Sequence, residues 1–418
     1  MMNFRDIENV DEFFSSIRYS QGLDIAKLKN MLKYRKEKIR ELNEFQFLQN
    51  KHSKSYGKVT INASYCKELS EKIKIIKSEV REIESTLDEL FFDIPNVLKI
   101  DVPVGKSERD NLVLCEVGNR VIHEFNSKSH EELGENLDIL DFKKASLISG
   151  ARFVFLKGLG SALSRALLQY FCNYHVAKGD VELLPPYLVK AGALIGTGQF
   201  PKFYQDVFEV NMRVSEKQNL YLIPTSEVPV TNYHMNQIVD LQQSKRYCAY
   251  SSCFRSEAGA AGKDTNGLIR LHQFEKVEMV RFCMPDDSEK EFNLMILRAS
   301  QILSNLELPH RIVFLCAGDT GFSSQKTYDL EVWFPAQNRY REVSSCSDFG
   351  VFQSSRCKIK YKDENGRNKL VATLNGSGFP LGRVIAAILE NNQNEDGSVN
   401  VPRVLQPYLG GISQIKKI

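Results

Sequence analysis

One run of residues constrains this 418-residue chain more than any other: Cys66, Leu69, Ile73, Ile76, Val80, Ile83, Leu87 and Leu90 step by three and four without a fault. That is a heptad seam, which a helix buries only along another helix. The partner precedes it, with Ile25, Leu28, Leu32, Arg35, Ile39 and Leu42 stepping in the same way. Between them residues 52–57, with Ser53, Ser55 and Gly57, supply a polar turn. The expectation is an antiparallel two-helix coiled coil folded back on itself, after a short lead-in helix over residues 1–22. A helix of roughly 28 residues reaches ~42 Å, so the arm would project beyond a globular body. Pro95 and Pro103 end the pattern. We place the domain boundary near 100, with a helical domain over 1–100 and a second domain over 101–418.

The formal net charge is only +3, but it is unevenly spread. Residues 25–58 carry ten Lys/Arg against three Asp/Glu, and residues 61–92 carry five against seven. A projecting, basic first helix suits the sugar–phosphate backbone of a nucleic acid. A solvated face or a dimerising coiled coil would carry the same charges.

Other classes are excluded quickly. Nine cysteines without a CxxC pair, and seven histidines without ligand spacing to them, argue for reduced thiols and against zinc. No apolar run approaches the ~20 residues of a membrane span. The first residues are acidic, unlike a transit peptide. The expected location is the cytoplasm.

The second domain is organised around residues 253–281. A strand over 248–254 leads into Phe254-Arg255-Ser256-Glu257. A polar loop with Gly259, Gly262 and Gly267 follows, then a second strand over 268–282. Along that strand His272, Phe274, Lys276, Glu278 and Val280 share one face, and Leu271, Val277 and Met279 the other. Arginine offers a rigid fork of donors to carboxylate and phosphate. A phenylalanine offers a stacking face, and a glutamate accepts from an amine or hydroxyl.

Further along lie Thr225-Ser226-Glu227 at a strand end, Glu342-Val343-Ser344-Ser345 on a strand, and Leu374-Asn375-Gly376-Ser377-Gly378-Phe379-Pro380-Leu381-Gly382-Arg383 at a strand-to-helix turn. Upstream, a helix over 160–177 meets the run Val181 to Val189, interrupted by Pro185-Pro186. Each piece has a plainer reading as a helix cap, a cross-strand pair, a β–α turn or a core strand.

In this order, however, the pieces resemble motifs 1, 2 and 3 of the class II aminoacyl-tRNA synthetases. Phe254-Arg255-x-Glu257 with Arg270, Phe274 and Glu278 matches motif 2. The run GLIRLHQFEKVEM, the turn from Gly196 to Phe203 and Gly382 before Arg383 are similar to the seryl-tRNA synthetases. The resemblance implies an α+β fold: an antiparallel sheet flanked by helices, preceded by the coiled-coil arm. It implies a homodimer built at motif 1.

It also implies activation of L-serine by ATP with Mg2+, then transfer to the 3′ end of tRNA-Ser, with tRNA-Sec left open as a second acceptor. Arg255 and Arg383 would be the catalytic residues. Thr225, Ser226, Glu227, Glu278 and Ser377 would bind serine. Arg255, Ser256, Glu257, Leu271, Phe274, Glu342, Val343, Ser344, Ser345 and Arg383 would bind ATP, with Glu342 supporting its magnesium. Lys29, Lys33, Lys36 and Arg40 on the arm would meet tRNA. Two rivals are a non-catalytic paralogue and a ligase with a different acceptor. The first often loses the motif arginines and the second lacks the arm. This chain has both features.

Overall fold

A computed structural model describes residues 24–54, 63–211, 219–258 and 267–417. The lead-in helix over 1–22, the turn residues Ser55 and Gly57, and the loop glycines Gly259 and Gly262 lie outside the described residues. The chain divides into two compact units between Pro95 and Asn96.

The first unit is the helical arm. Helices α1 (Ile25–Lys54) and α2 (Ala63–Phe92) are each 30 residues long. Leu28 and Leu32 of α1 are buried with Leu69, Ile73, Ile76, Ile83, Leu87 and Phe91 of α2. Cross-helix pairs fix the antiparallel direction: Arg35 with Glu84 at 2.7 Å, Lys38 with Glu79 at 2.8 Å, and Gln49 with Ser70 at 3.0 Å. As one residue number rises the other falls. The acids of α2 thus engage Arg35 and Lys38, while Lys33, Lys36 and Arg40 stay exposed and Lys29 is half-buried.

The second unit is built on an eight-stranded sheet. In chain order its strands are β1 (Leu112–Val117), β2 (Val181–Leu183), β3 (Lys245–Phe254), β4 (Gln273–Cys283), β5 (His310–Phe314), β6 (Lys326–Phe334), β7 (Arg339–Gly350) and β8 (Ala372–Pro380). Their order across the sheet is β1-β5-β6-β7-β8-β4-β3-β2. Every pairing is antiparallel except β2 on β3.

Helices α3 (Gly158–Ala177), α5 (Ser288–Asn305) and α6 (Leu381–Asn391), with the short α4 (Glu227–Asn232), complete the frame. Leu163, Leu167 and Phe171 of α3, Phe292, Met295 and Ile302 of α5, and Val384, Ile385 and Ile388 of α6 share one core with Val277, Met279, Leu330, Val332 and Leu374 of the sheet. The apolar side of the β4 alternation faces these helices. That leaves Phe274, Lys276 and Glu278 on the opposite face.

Three details depart from the sequence reading. The second hairpin strand begins at Gln273, not Leu268. Residues 267–272 are held instead by separate anchors: the Leu268 amide donates to His130 Nε2 at 3.1 Å, and the His272 amide to the Arg152 carbonyl at 3.0 Å. The run Val181 to Val189 forms two strands in different sheets, Val181–Leu183 and Leu188–Lys190. Pro185 and Pro186 lack the amide a continuous ladder needs. Finally, β1 was not foreseen, because it is an edge strand whose apolar residues remain largely exposed.

A buried charge cluster ties β2 to the hairpin. Asp180 accepts from Arg281 of β4 and Arg298 of α5, both at 2.7 Å, and all three are nearly inaccessible. Removing one partner leaves an uncompensated buried charge, which costs about 3–5 kcal/mol. Asp180→Asn is therefore expected to lower the denaturation midpoint of the second unit, with the slope on denaturant unchanged. An unchanged midpoint would show the cluster to be energetically neutral.

Candidate active site

The polar face of β4 forms the floor of a cleft of about 550 Å³. Its walls include Thr225, Glu227, Arg255, Glu257, Arg270, Lys276, Glu278, Glu342, Ser345 and Ser377. A smaller adjoining cavity of about 70 Å³ adds Leu271, Phe274, Gly382 and Arg383, and shares Arg255, Glu257, Arg270, Lys276, Glu342 and Ser377 with the first. Residues more than a hundred positions apart in sequence thus border two adjoining cavities with a shared wall.

At one end Thr225, Lys276 and Glu278 interlock. Thr225 Oγ1 donates to Glu278 Oε2 at 2.9 Å and accepts from Lys276 Nζ at 3.0 Å, while Lys276 pairs directly with the same carboxylate. Thr225 Oγ1 also accepts the Glu227 amide at 3.2 Å, so this hydroxyl takes the place of a helix cap. Glu227 is buried, and its Oε1 accepts from Gln353 Nε2 at 2.5 Å. Gln353 in turn accepts from Thr373 at 2.8 Å. Burial, and then the charge of Glu278, push the Glu227 carboxyl up to about 7.

In the middle, Arg255 Nε donates to the Pro224 carbonyl at 3.1 Å, and its guanidinium lies 5.2 Å from the Phe274 ring centre. Arg270 pairs with Glu257 at 2.8 Å. Glu257 holds a left-handed backbone, φ 53°, uncommon for a non-glycine residue. At the far end Arg383 bonds the Glu342 carbonyl at 3.0 Å and its carboxylate at 3.2 Å.

A bulge shapes the wall between them. Leu330 pairs with Ser344 but Glu331 with Glu342, leaving Val343 as the extra residue. The extra residue shifts the alternation by one. Glu342 therefore joins Ser345 and Ser347 on the cleft wall, while Val343 enters the core. Burial, and then the nearby Glu342 charge, push the Asp329 carboxyl well above the usual carboxylate range.

Most of the residues singled out from sequence border the cleft or its annex. Val343 faces the core. Ser344 is buried and donates to the Ser377 carbonyl at 2.6 Å. Ser226 is buried off the cleft wall, and Ser256 donates to the Gln205 carbonyl at 2.5 Å. Sequence reasoning gave no role to Lys276, Arg270, Gln353 or Asn375. The spacing of Arg270 to Phe274 was the available signal for the arginine, and the polar face of β4 for the lysine. Nothing local marks Gln353, which meets Glu227 from 126 residues away.

Residues 208–392 match the model of the class II tRNA synthetase core domain shared by the glycine, histidine, proline, serine and threonine enzymes. An antiparallel sheet with paired arginines across such a cleft is thus the catalytic core of a class II aminoacyl-tRNA synthetase. Residues 1–98 match the seryl-tRNA synthetase N-terminal domain. The chain is 47% identical to the serine–tRNA ligase of Bdellovibrio bacteriovorus, over 96% of this chain and 95% of that one. It is 50% identical to that of Carboxydothermus hydrogenoformans over 82% and 80%. The seryl-tRNA synthetase of Pyrococcus horikoshii, solved with ATP, superposes with TM-score 0.92 at 32% identity, covering both chains fully. The chain belongs to the seryl-tRNA synthetase family. It is an ATP-dependent serine–tRNA ligase, forming seryl-adenylate and passing the seryl group to tRNA-Ser.

Proposed function

We propose the following division of labour in that reaction. Arg255 aligns the serine carboxylate with the α-phosphate of ATP, and Arg383 holds the γ-phosphate. Phe274 stacks on adenine beside Leu271, with Glu257 on the nucleotide and Ser256, whose hydroxyl is held by the Gln205 carbonyl, positioning the turn between Arg255 and Glu257. Glu227 receives the α-ammonium. Glu278 and Thr225 read the side-chain hydroxyl, with Ser377 closing the pocket. A serine carboxylate oxygen attacks the α-phosphorus and pyrophosphate leaves. The terminal ribose hydroxyl of tRNA then attacks the acyl carbon and AMP leaves. No side-chain nucleophile is needed, so the rate comes from positioning and charge.

The observation that carries this reading is that Arg255 borders both the cleft holding the Thr225–Lys276–Glu278 network and the adjoining cavity lined by Arg383. Serine-dependent ATP–pyrophosphate exchange, compared with glycine, alanine and threonine, tests it. Equal exchange with alanine would overturn it.

Mg2+ suits the ATP end of the cleft. Magnesium takes one or two carboxylates together with phosphate oxygens. Glu342 stands on the wall, and buried Asp329 Oδ1 has no hydrogen-bond partner among the described residues. A divalent ion would relieve the repulsion between these two groups and draw charge from the leaving pyrophosphate. Among the described residues no cluster of three or more His, Cys, Asp or Glu could hold a metal alone.

A homodimer is supported by Val181 and Leu184, exposed apolar residues at and just beyond β2, which forms a sheet edge, and by exposed Leu188 on the strand that follows. The cytoplasm is the proposed location. No helix among the described residues is long and apolar enough to cross a membrane.

The arm is proposed to grip tRNA through Lys29, Lys33, Lys36 and Arg40. Replacing residues 24–92 by a short linker should leave pyrophosphate exchange within about a few-fold, because every cleft residue lies beyond 190. Transfer to tRNA should fall sharply, with the salt slope of binding flattening by about one unit per lost phosphate contact. Equal charging by both forms at matched salt would make the coiled coil a dimerising device.

A further inference from the structure

Lys276 is only 5% exposed, although it lines the cleft on the polar face of β4. A buried ammonium is costly unless it is fully paired. Its partners are Thr225 Oγ1 and Glu278 Oε2. Thr225 Oγ1 donates to that same Oε2, so both donors converge on one carboxylate oxygen. Glu278 Oε1 takes no hydrogen bond from a described residue, and Glu278 lines the cleft.

The charges explain the arrangement. Two buried carboxylates, Glu227 and Glu278, share the amino-acid end of the cleft. A bound amino acid brings one ammonium there, while its carboxylate belongs to Arg255. Without Lys276 the pocket would present two negative charges to one positive one, and both glutamates would compete for the ammonium. Alanine and glycine carry the same ammonium, so such a pocket would bind them as well as serine. With Lys276 the count balances, and Glu278 retains one oxygen for a neutral donor.

We propose that Lys276 is a specificity-determining residue: it neutralises Glu278, dedicating its free oxygen to the serine hydroxyl and leaving the ammonium to Glu227. This rests on the assignment of the pocket given above. The same lysine charge also opposes the upward push on Glu227.

The test is a double-mutant cycle on the full-length enzyme, read by ATP–pyrophosphate exchange with serine and with alanine. Lys276→Met should raise KM for serine by about 10–100-fold and lower the serine-to-alanine ratio by a similar factor, with KM for ATP within about twofold. In a Glu278→Gln background the same change should no longer raise KM for serine and should leave it unchanged or lower it, because the glutamine already leaves Lys276 as an uncompensated buried cation beside the substrate ammonium. Unchanged ATP affinity reports an intact site. If the methionine variant does not fold, Lys276→Gln reads the same comparison.

Equal effects of Lys276→Met in both backgrounds, or a loss of ATP affinity matching that of serine, would overturn the proposal. So would Lys276→Met with normal serine discrimination where Glu278→Gln destroys it. If Glu278→Gln itself leaves discrimination at the wild-type value, the pocket assignment fails and the role of Lys276 falls with it.

Discussion

Glu278→Ala is expected to collapse a serine-over-alanine preference on the order of 10⁴, the largest effect anticipated from any single change here. A site built to pair a hydroxyl leaves buried polar groups unpaired when the substrate lacks one, and the discrimination comes from that penalty. Glu278 is 1% exposed, and its Oε2 is already committed to Thr225 and Lys276. Removing the carboxylate removes the acceptor and also leaves Lys276 without its counter-charge. The loss should therefore appear in kcat/KM for serine, while alanine changes little. The measurement is exchange with each amino acid alone. A mutant that keeps its full preference would show that the hydroxyl is read elsewhere in the cleft.

Arg255→Ala should reduce adenylate formation by about 10²–10³ or more while leaving the fold intact. The guanidinium stands on both parts of the cleft, against the Phe274 ring, and its Nε is held by the Pro224 carbonyl. That tether leaves the outer nitrogens to face two anions whose mutual repulsion must be overcome for the carboxylate to reach phosphorus. Lysine cannot replace it, because a point charge does not bridge two groups in a fixed plane. Arg255→Lys should therefore recover only a minor part of the rate. Near-normal pyrophosphate exchange by a well-folded alanine variant would assign the bridging role to another cation lining the cleft, such as Arg270.

The two changes should also differ in kind. Loss of Glu278 removes discrimination between amino acids, and its effect depends on which one is offered. Loss of Arg255 removes an interaction common to all of them, so every amino acid should suffer alike. Measuring both variants with serine and alanine separates recognition from chemistry.

The sequence by itself determined what depends on period and short spacing. The arm was legible because a seam from Leu28 to Leu87 needs a helical partner whatever else the chain does. Phe274, Lys276 and Glu278 were legible as one surface because a strand places alternate side chains on one face, whereas Arg255 and Glu257, beyond the end of their strand, were singled out by the resemblance to motif 2. The tertiary structure alone decided what those faces meet. Thr225 reaches Glu278 across 53 positions, and Gln353 reaches Glu227 across 126. The bulge at Val343 turned Glu342 to the cleft and Val343 to the core, against simple alternation, because one strand carries a residue its partner lacks. The edge strand Leu112–Val117 exists only because β5 offers it a ladder. Lys276 reads as an ordinary strand lysine until Thr225, Glu227 and Glu278 close around it. Its charge then matters, because a buried cation cannot be screened by water and must be balanced by its neighbours.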